Sequence, residues 1–247
     1  MTFDHTRYGA ELDDAVGRFA TLADQVSGDE LVPSCPDWTA RDLIVHLGSI
    51  HRWAAATLLG GQRQVDRPTP LVTGTLGDWY AGCAAALLTA IDAVDPEEAI
   101  PNFARINETA SFWARRQLHE TTIHAVDLAQ ALGRFEQQWG VQADVAADGV
   151  EEVLGVFFPR MTARGQAPDV RERIRFDATD RFDSWIIRPA SIAGGPPLLV
   201  HDSGDADSSV RGTTVELYLT LWGRLPAGRL TYDSDNARAV MSGPTVP

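Results

Sequence analysis

The chain contains no lysine: all 21 of its basic residues are arginine. That absence removes several chemistries at the outset. Pyridoxal-phosphate enzymes and lysine-dependent aldolases need a Schiff-base amine. A phosphate-binding loop ending in Lys-Ser/Thr and a kinase-type strand lysine are equally excluded. Cysteine is scarce too, with Cys35 and Cys83 the whole complement. Two thiols cannot build a disulfide framework, so a reducing cytoplasm is the expected compartment. No apolar run approaches the roughly 20 residues of a membrane span. The polar segment Met1 to Tyr8 also lacks the apolar region of a signal peptide. Against 34 acidic residues the basic ones leave a formal charge of −13, which repels phosphate and argues against nucleic acid as a partner.

What remains is the composition of a folded, soluble protein. Of the 247 residues, 44% are hydrophobic and 22% charged, enough to bury a core without the signature of disorder. Apolar residues recur at three- and four-residue steps over Tyr8–Val26, Ala40–Gly60, about Leu76–Val94, about Glu108–Leu132 and about Asp144–Thr162. Thr39 and Asp42 form a capping pair at the start of the second run, Gly60 and Gly61 stop it, and Gly133 ends the fourth. Beyond Asp169 the texture changes. Arg173–Ala178, Arg181–Pro189, Ser208–Gly212 and Arg229–Tyr232 read as strands, with a helix over Thr214–Arg224. These patterns predict a mainly α protein: a helical bundle over residues 1–168, followed by a small α+β domain over 169–247.

Three of the six histidines fall where helical spacing gives them meaning. The run His119-Glu120-Thr121-Thr122-Ile123-His124 resembles a His-Glu-x-x-His zinc-protease pattern with one residue too many. Five residues turn a helix by about 140°, so His119 and His124 cannot share a metal. Glu120 and His124, four apart, share a face with Trp113, Arg116 and Asp127. Two readings of that face stand side by side. One is an ion-paired helix surface with Arg116 on Glu120 at i+4, common and worth little. The other adds His46, which sits in the apolar setting Ile44-Val45-His46-Leu47 of the second helix. His46, Glu120 and His124 then form a His/Glu/His set on two helices of one bundle, the place where such metal sites are built. Three N and O ligands leave a coordination position open, the catalytic form of a zinc site.

Other residues have plainer readings. His51, five beyond His46, points elsewhere, and His5 and His201 have no context. Cys35 lies just before the second helix, either packed in its loop or near the metal, and Cys83 reads as core. Asp127 suits an acceptor behind a ligand or a helix-face ion pair. Trp38 and Trp53 read as bundle packing.

The segment Val32-Pro33-Ser34-Cys35-Pro36-Asp37-Trp38-Thr39-Ala40-Arg41-Asp42-Leu43-Ile44-Val45-His46-Leu47-Gly48, with His51-Arg52-Trp53 after it, resembles the opening motif of the mycothiol-dependent maleylpyruvate isomerase family. That family belongs to the DinB-like group of four-helix metal-binding bundles. Arg116-x-x-x-Glu120-x-x-x-His124-x-x-Asp127 is similar to its second motif, and Asp148-Gly149-Val150-Glu151-Glu152 with Phe157–Arg160 to a third. Val210–Thr213 and Leu217–Arg224 resemble its C-terminal domain.

The resemblance implies a DinB-like four-helix bundle followed by a small α/β-type domain. It implies zinc or another divalent metal on His46, Glu120 and His124, and mycothiol as a low-molecular-weight thiol cofactor. It also implies a small electrophilic substrate and an active-site arginine from the C-terminal domain, for which Arg224 is the candidate. A thiol of pKa about 8.5 becomes the nucleophilic thiolate more readily beside a cation. In an isomerase it adds to an activated cis double bond, permits rotation and leaves; in an S-transferase it displaces a leaving group. Arg224 and Arg116 can grip anionic groups of substrate or cofactor bidentately, as lysine cannot. The alternatives are a non-catalytic metal-binding bundle and a hydrolase that uses metal-bound water.

Overall fold

The structure, a computed structural model, describes residues 3–60, 74–134, 136, 139–191, 195–201 and 204–247. Met1 and Gly61 of the sequence reading lie outside them. Contacts divide the chain into two units, one ending at Gly140 and the other beginning at Val141.

Among the described residues the first unit has four α-helices: α1 (His5–Ala23), α2 (Ala40–Leu58), α3 (Leu76–Ala93) and α4 (Ala110–Ala131). The starts of α1, α2 and α3 are chemically marked by side-chain caps, while Thr109 ahead of α4 makes no such bond. Asp4 accepts from the Arg7 amide ahead of α1, and Thr75 from the Asp78 amide ahead of α3. The expected pair Thr39 and Asp42 forms a reciprocal capping box on α2, each side chain taking the other residue's backbone N–H. Gly133, at φ 67°, closes α4 in the left-handed region that glycine enters without steric cost. The inward stripe of α1 is Tyr8, Leu12, Ala15, Val16, Phe19 and Ala23, all buried at helical spacing. α1 packs on α3 and α4, and α2 packs on the same two. α4 is the most enclosed, with the polar Arg116, Gln117, His119, Thr121, Thr122, His124 and Asp127 buried along with its apolar residues. Buried polar groups are costly unless paired, so α4 is where chemistry is to be sought.

The second unit opens with α5 (Ala143–Glu152), a π-helical turn (Val153–Phe157) and α6 (Phe158–Ala163). A five-stranded mixed sheet follows: β1 (Ile174–Ala178), β2 (Ser184–Arg188), β3 (Leu198–Val200), β4 (Ser208–Gly212) and β5 (Thr231–Tyr232). Its order is β3-β2-β1-β4-β5. β1 and β4 pair in parallel, with Phe176 opposite Val210, while the other pairs are antiparallel. α7 (Thr214–Leu221) and α8 (Asp235–Ser242) pack on the sheet. Ile174, Phe176 and Ala178 of β1 are buried and alternate with less buried residues, so one face of the strand feeds the core.

The mainly α architecture and the mixed-sheet C-terminal part are as the sequence reading expected. The division near residue 168 is not where the contacts divide the chain. α5 packs on α7, and β3 on the π-helical turn, so the fifth helical run belongs with the sheet and leaves a four-helix first unit. Helical periodicity shows that a segment has an apolar face but not which partner covers it. β3 and α8 had no counterpart in the sequence reading. β3 has three residues and α8 eight. Among the described residues no helix is long and apolar enough to cross a membrane.

Candidate metal centre

α2 and α4 bring His46, Glu120 and His124 together, with one ligand atom from each within 4.8 Å of the others. Glu120 Oε1 is the hub, 3.5 Å from His46 Nε2 and 3.4 Å from His124 Nε2. The imidazole rings meet edge to face with centroids 5.2 Å apart. His124 is buried, while His46 and Glu120 keep side-chain exposures of 23% and 21%, so the group is sheltered yet reachable. Two imidazole nitrogens and a carboxylate oxygen are a donor set suited to zinc and similar divalent ions.

The remaining atoms of these side chains are also held. Arg116 Nη2 donates to Glu120 Oε2 at 3.1 Å, so that oxygen is engaged and Oε1 faces the imidazoles. His124 Nδ1 donates to Asp127 Oδ2 at 2.9 Å. That bond places a proton on Nδ1 and turns Nε2 toward Glu120, the arrangement that commonly supports a metal-bound histidine. Asp127 is fully buried, and its other oxygen, Oδ1, accepts from Ser34 Oγ at 2.5 Å. Trp38 packs against His46 with centroids 4.7 Å apart.

Both readings of the α4 face are therefore realised at once: Arg116 pairs with Glu120 at i+4, and the same carboxylate meets two histidines. Burial opposes ionisation of Glu120. Hydrogen bonds from His124 and His46, with the charges of His124 and Arg116, outweigh it and hold the carboxyl well below the usual carboxylate range. Burial likewise opposes protonation of His124, but its bonds to Asp127 and Glu120 raise its pKa to about 9.

His51 is fully buried. Its Nδ1 donates to Gln117 Oε1 at 2.9 Å, and its Nε2 faces the Tyr80 hydroxyl at 3.2 Å, as a neutral core histidine does. Burial pushes its pKa down to about 4 against the bond to Gln117. Trp53 stacks edge to face on Trp113 at 5.0 Å, and Cys83 is buried. Cys35 is half-buried in its loop and is not a member of the converging group. Arg224 lies in the second unit, where its Nη1 donates to the Trp222 carbonyl at 2.7 Å. Sequence reasoning gave no role to Ser34. Its partner is 93 positions away, and nothing local in the motif announces the contact.

Residues 10–129 match the family model of the mycothiol maleylpyruvate isomerase N-terminal domain, and residues 144–245 match that of the C-terminal domain. The chain belongs to the mycothiol maleylpyruvate isomerase family. The two matches flank the Gly140/Val141 division, so each model covers one structural unit of the family member described here. None of the curated proteins matches it. Among solved structures it is similar to the mycothiol-dependent maleylpyruvate isomerase, at 14% identity and a TM-score of 0.64. It is also similar to a histidine-to-alanine mutant of that isomerase, at 15% identity and a TM-score of 0.66. Each comparison covers 99% of both chains. At these identities the likeness shows the fold, a DinB-like bundle joined to a mixed α/β domain.

Proposed function

We propose that this family member is a metal- and thiol-dependent enzyme, an isomerase or S-transferase acting on a small electrophile, with mycothiol as the thiol. The observation that carries the reading is the convergence of His46 Nε2, Glu120 Oε1 and His124 Nε2 on one point of the bundle. These three residues would hold a divalent metal, zinc by donor type. When bound, the metal supplies positive charge that favours a thiolate over a thiol.

The chain's own residues prepare the site. Asp127 keeps the proton on His124 Nδ1, and Arg116 keeps Glu120 Oε2 engaged and the carboxyl ionised. In this reading the guanidinium of Arg116 also serves the thiol cofactor. Arg224 receives the carboxylate of the substrate, because a planar fork of donors matches a carboxylate bidentately. A reduced, cytoplasmic thiol pool belongs to the same reading.

The test is turnover of a cis-configured, carboxylate-bearing electrophile by the zinc-loaded protein, with and without added mycothiol. Turnover that requires the thiol supports the proposal. Turnover without it points instead to a hydrolase, and a protein without stoichiometric metal points to a non-catalytic bundle.

A further inference from the structure

The loop ahead of α2 touches both imidazoles of the candidate centre by separate routes. Trp38 lies against the His46 ring. Ser34 reaches His124 through Asp127, accepted at Oδ1 while Oδ2 takes the His124 Nδ1 proton. The loop is not loosely placed. Val32 N donates to Trp38 O, Cys35 N to Val32 O, and Trp38 N to Cys35 O at 2.8–3.0 Å, and Leu31 bridges to Thr39. A serine on so constrained a turn is aimed by the backbone.

We infer that Ser34 is a positioning residue for the metal centre: its hydroxyl orients the buried Asp127 carboxylate, which in turn commits His124 to the Nδ1–H form with Nε2 as ligand. This deepens the proposed function and rests on its metal-centre reading. The physical reason is the geometry of Asp127. A carboxylate has two oxygens, and with only one engaged it can rotate about its side-chain torsion and change the direction of the bond to His124. A short bond to a hydroxyl on the second oxygen, 2.5 Å here, removes that freedom. Partners behind a ligating histidine set its ring orientation and basicity. Ser34 is only partly buried, so replacing it alters the contact without opening the core.

The experiment is zinc affinity by competition with a chelator, on full-length wild type, Ser34→Ala, Ser34→Thr and Asp127→Asn. Asp127→Asn is expected to weaken zinc binding by about 10–100-fold, the usual range for a direct partner of a ligating histidine. Ser34→Ala, one bond further out, is expected to weaken it by roughly three- to tenfold. Ser34→Thr, which keeps the hydroxyl, should restore affinity to within about twofold of wild type. Nitrogen-15 NMR of His124 in metal-free protein at alkaline pH supplies a readout that general destabilisation does not move. The Nδ1–H tautomer should dominate in wild type and Ser34→Thr, and give way to a mixture in Ser34→Ala. If wild type takes up zinc but Ser34→Ala matches it in affinity and tautomer, the inference is overturned and the metal centre stands. If wild type takes up no zinc, the metal-centre reading fails and the inference fails with it.

Discussion

Arg116 Nη2 and Glu120 Oε2 are 3.1 Å apart, one helical turn from one another on α4, and only 3% of the arginine is exposed. The contact ties a buried cation to the carboxylate that also meets His46 and His124. Removing Arg116 would leave Glu120 without that partner. Arg116→Ala is expected to cost about 3 kcal/mol, the lower end for breaking a buried ion pair. Arg116→Lys should recover only part of it, because an ammonium lacks the planar fork. Chemical denaturation of the metal-free protein measures both.

Metal binding should strengthen steeply with pH. Burial opposes a proton on His124, yet the Asp127 and Glu120 bonds hold its pKa at about 9 in the metal-free state. Below that pH a metal must displace the proton. Zinc affinity is therefore expected to rise about tenfold per pH unit between roughly pH 7 and 9, with about one proton released from this residue per ion in calorimetry. In the metal-free protein His124 also contributes stability that is fully present below about pH 6.5 and is lost as pH rises through about 9.

His51 predicts the opposite slope on the acid side. Its folded pKa of about 4 lies below the 6.5 of free imidazole, because burial disfavours the charged ring. The unfolded chain binds a proton between those values that the folded protein does not. Stability should then fall as pH drops from about 6.5 to 4, by up to about 3 kcal/mol from this residue. His51→Gln should flatten that part of the pH–stability curve. A slope unchanged by the substitution would contradict the assignment.

Gly149 tests the packing of the second unit. A Cβ there would lie 2.1 Å from Cε2 and 2.6 Å from Cδ2 of Tyr218, whose ring is wholly buried between α5 and α7. The ring has no flexible end to yield. Gly149→Ala is expected to destabilise by about 1–3 kcal/mol through overpacking, with zinc uptake unaffected. Denaturation of the full chain, paired with metal content, checks both parts.

The contribution of local sequence is seen in particular residues. Thr39 and Asp42 were legible as a cap because a capping box is satisfied within four consecutive residues. Glu120 and His124 were legible as neighbours because helical spacing alone puts them on one face. That face, however, read equally well as a plain ion-paired surface or as half of a ligand set. The choice depended on where α2 lies, and no periodicity in α4 encodes that. Ser34 shows the same limit more strongly, since its bond to Asp127 joins a loop to a helix 93 residues later.

The sequence by itself determined which chemistries are closed to this protein. A chain without lysine has no Schiff-base amine, and one with two cysteines has no disulfide framework, however it folds. It also determined the helices and the opening motif, through caps and apolar periods that act over a few residues. The tertiary structure decided three further points. The fifth helical run joins the sheet unit rather than the bundle, His46 meets Glu120 and His124, and a serine outside any helix stands behind His124. Each is a contact between distant segments, set by which apolar faces bury each other, and burial is a property of the assembled chain.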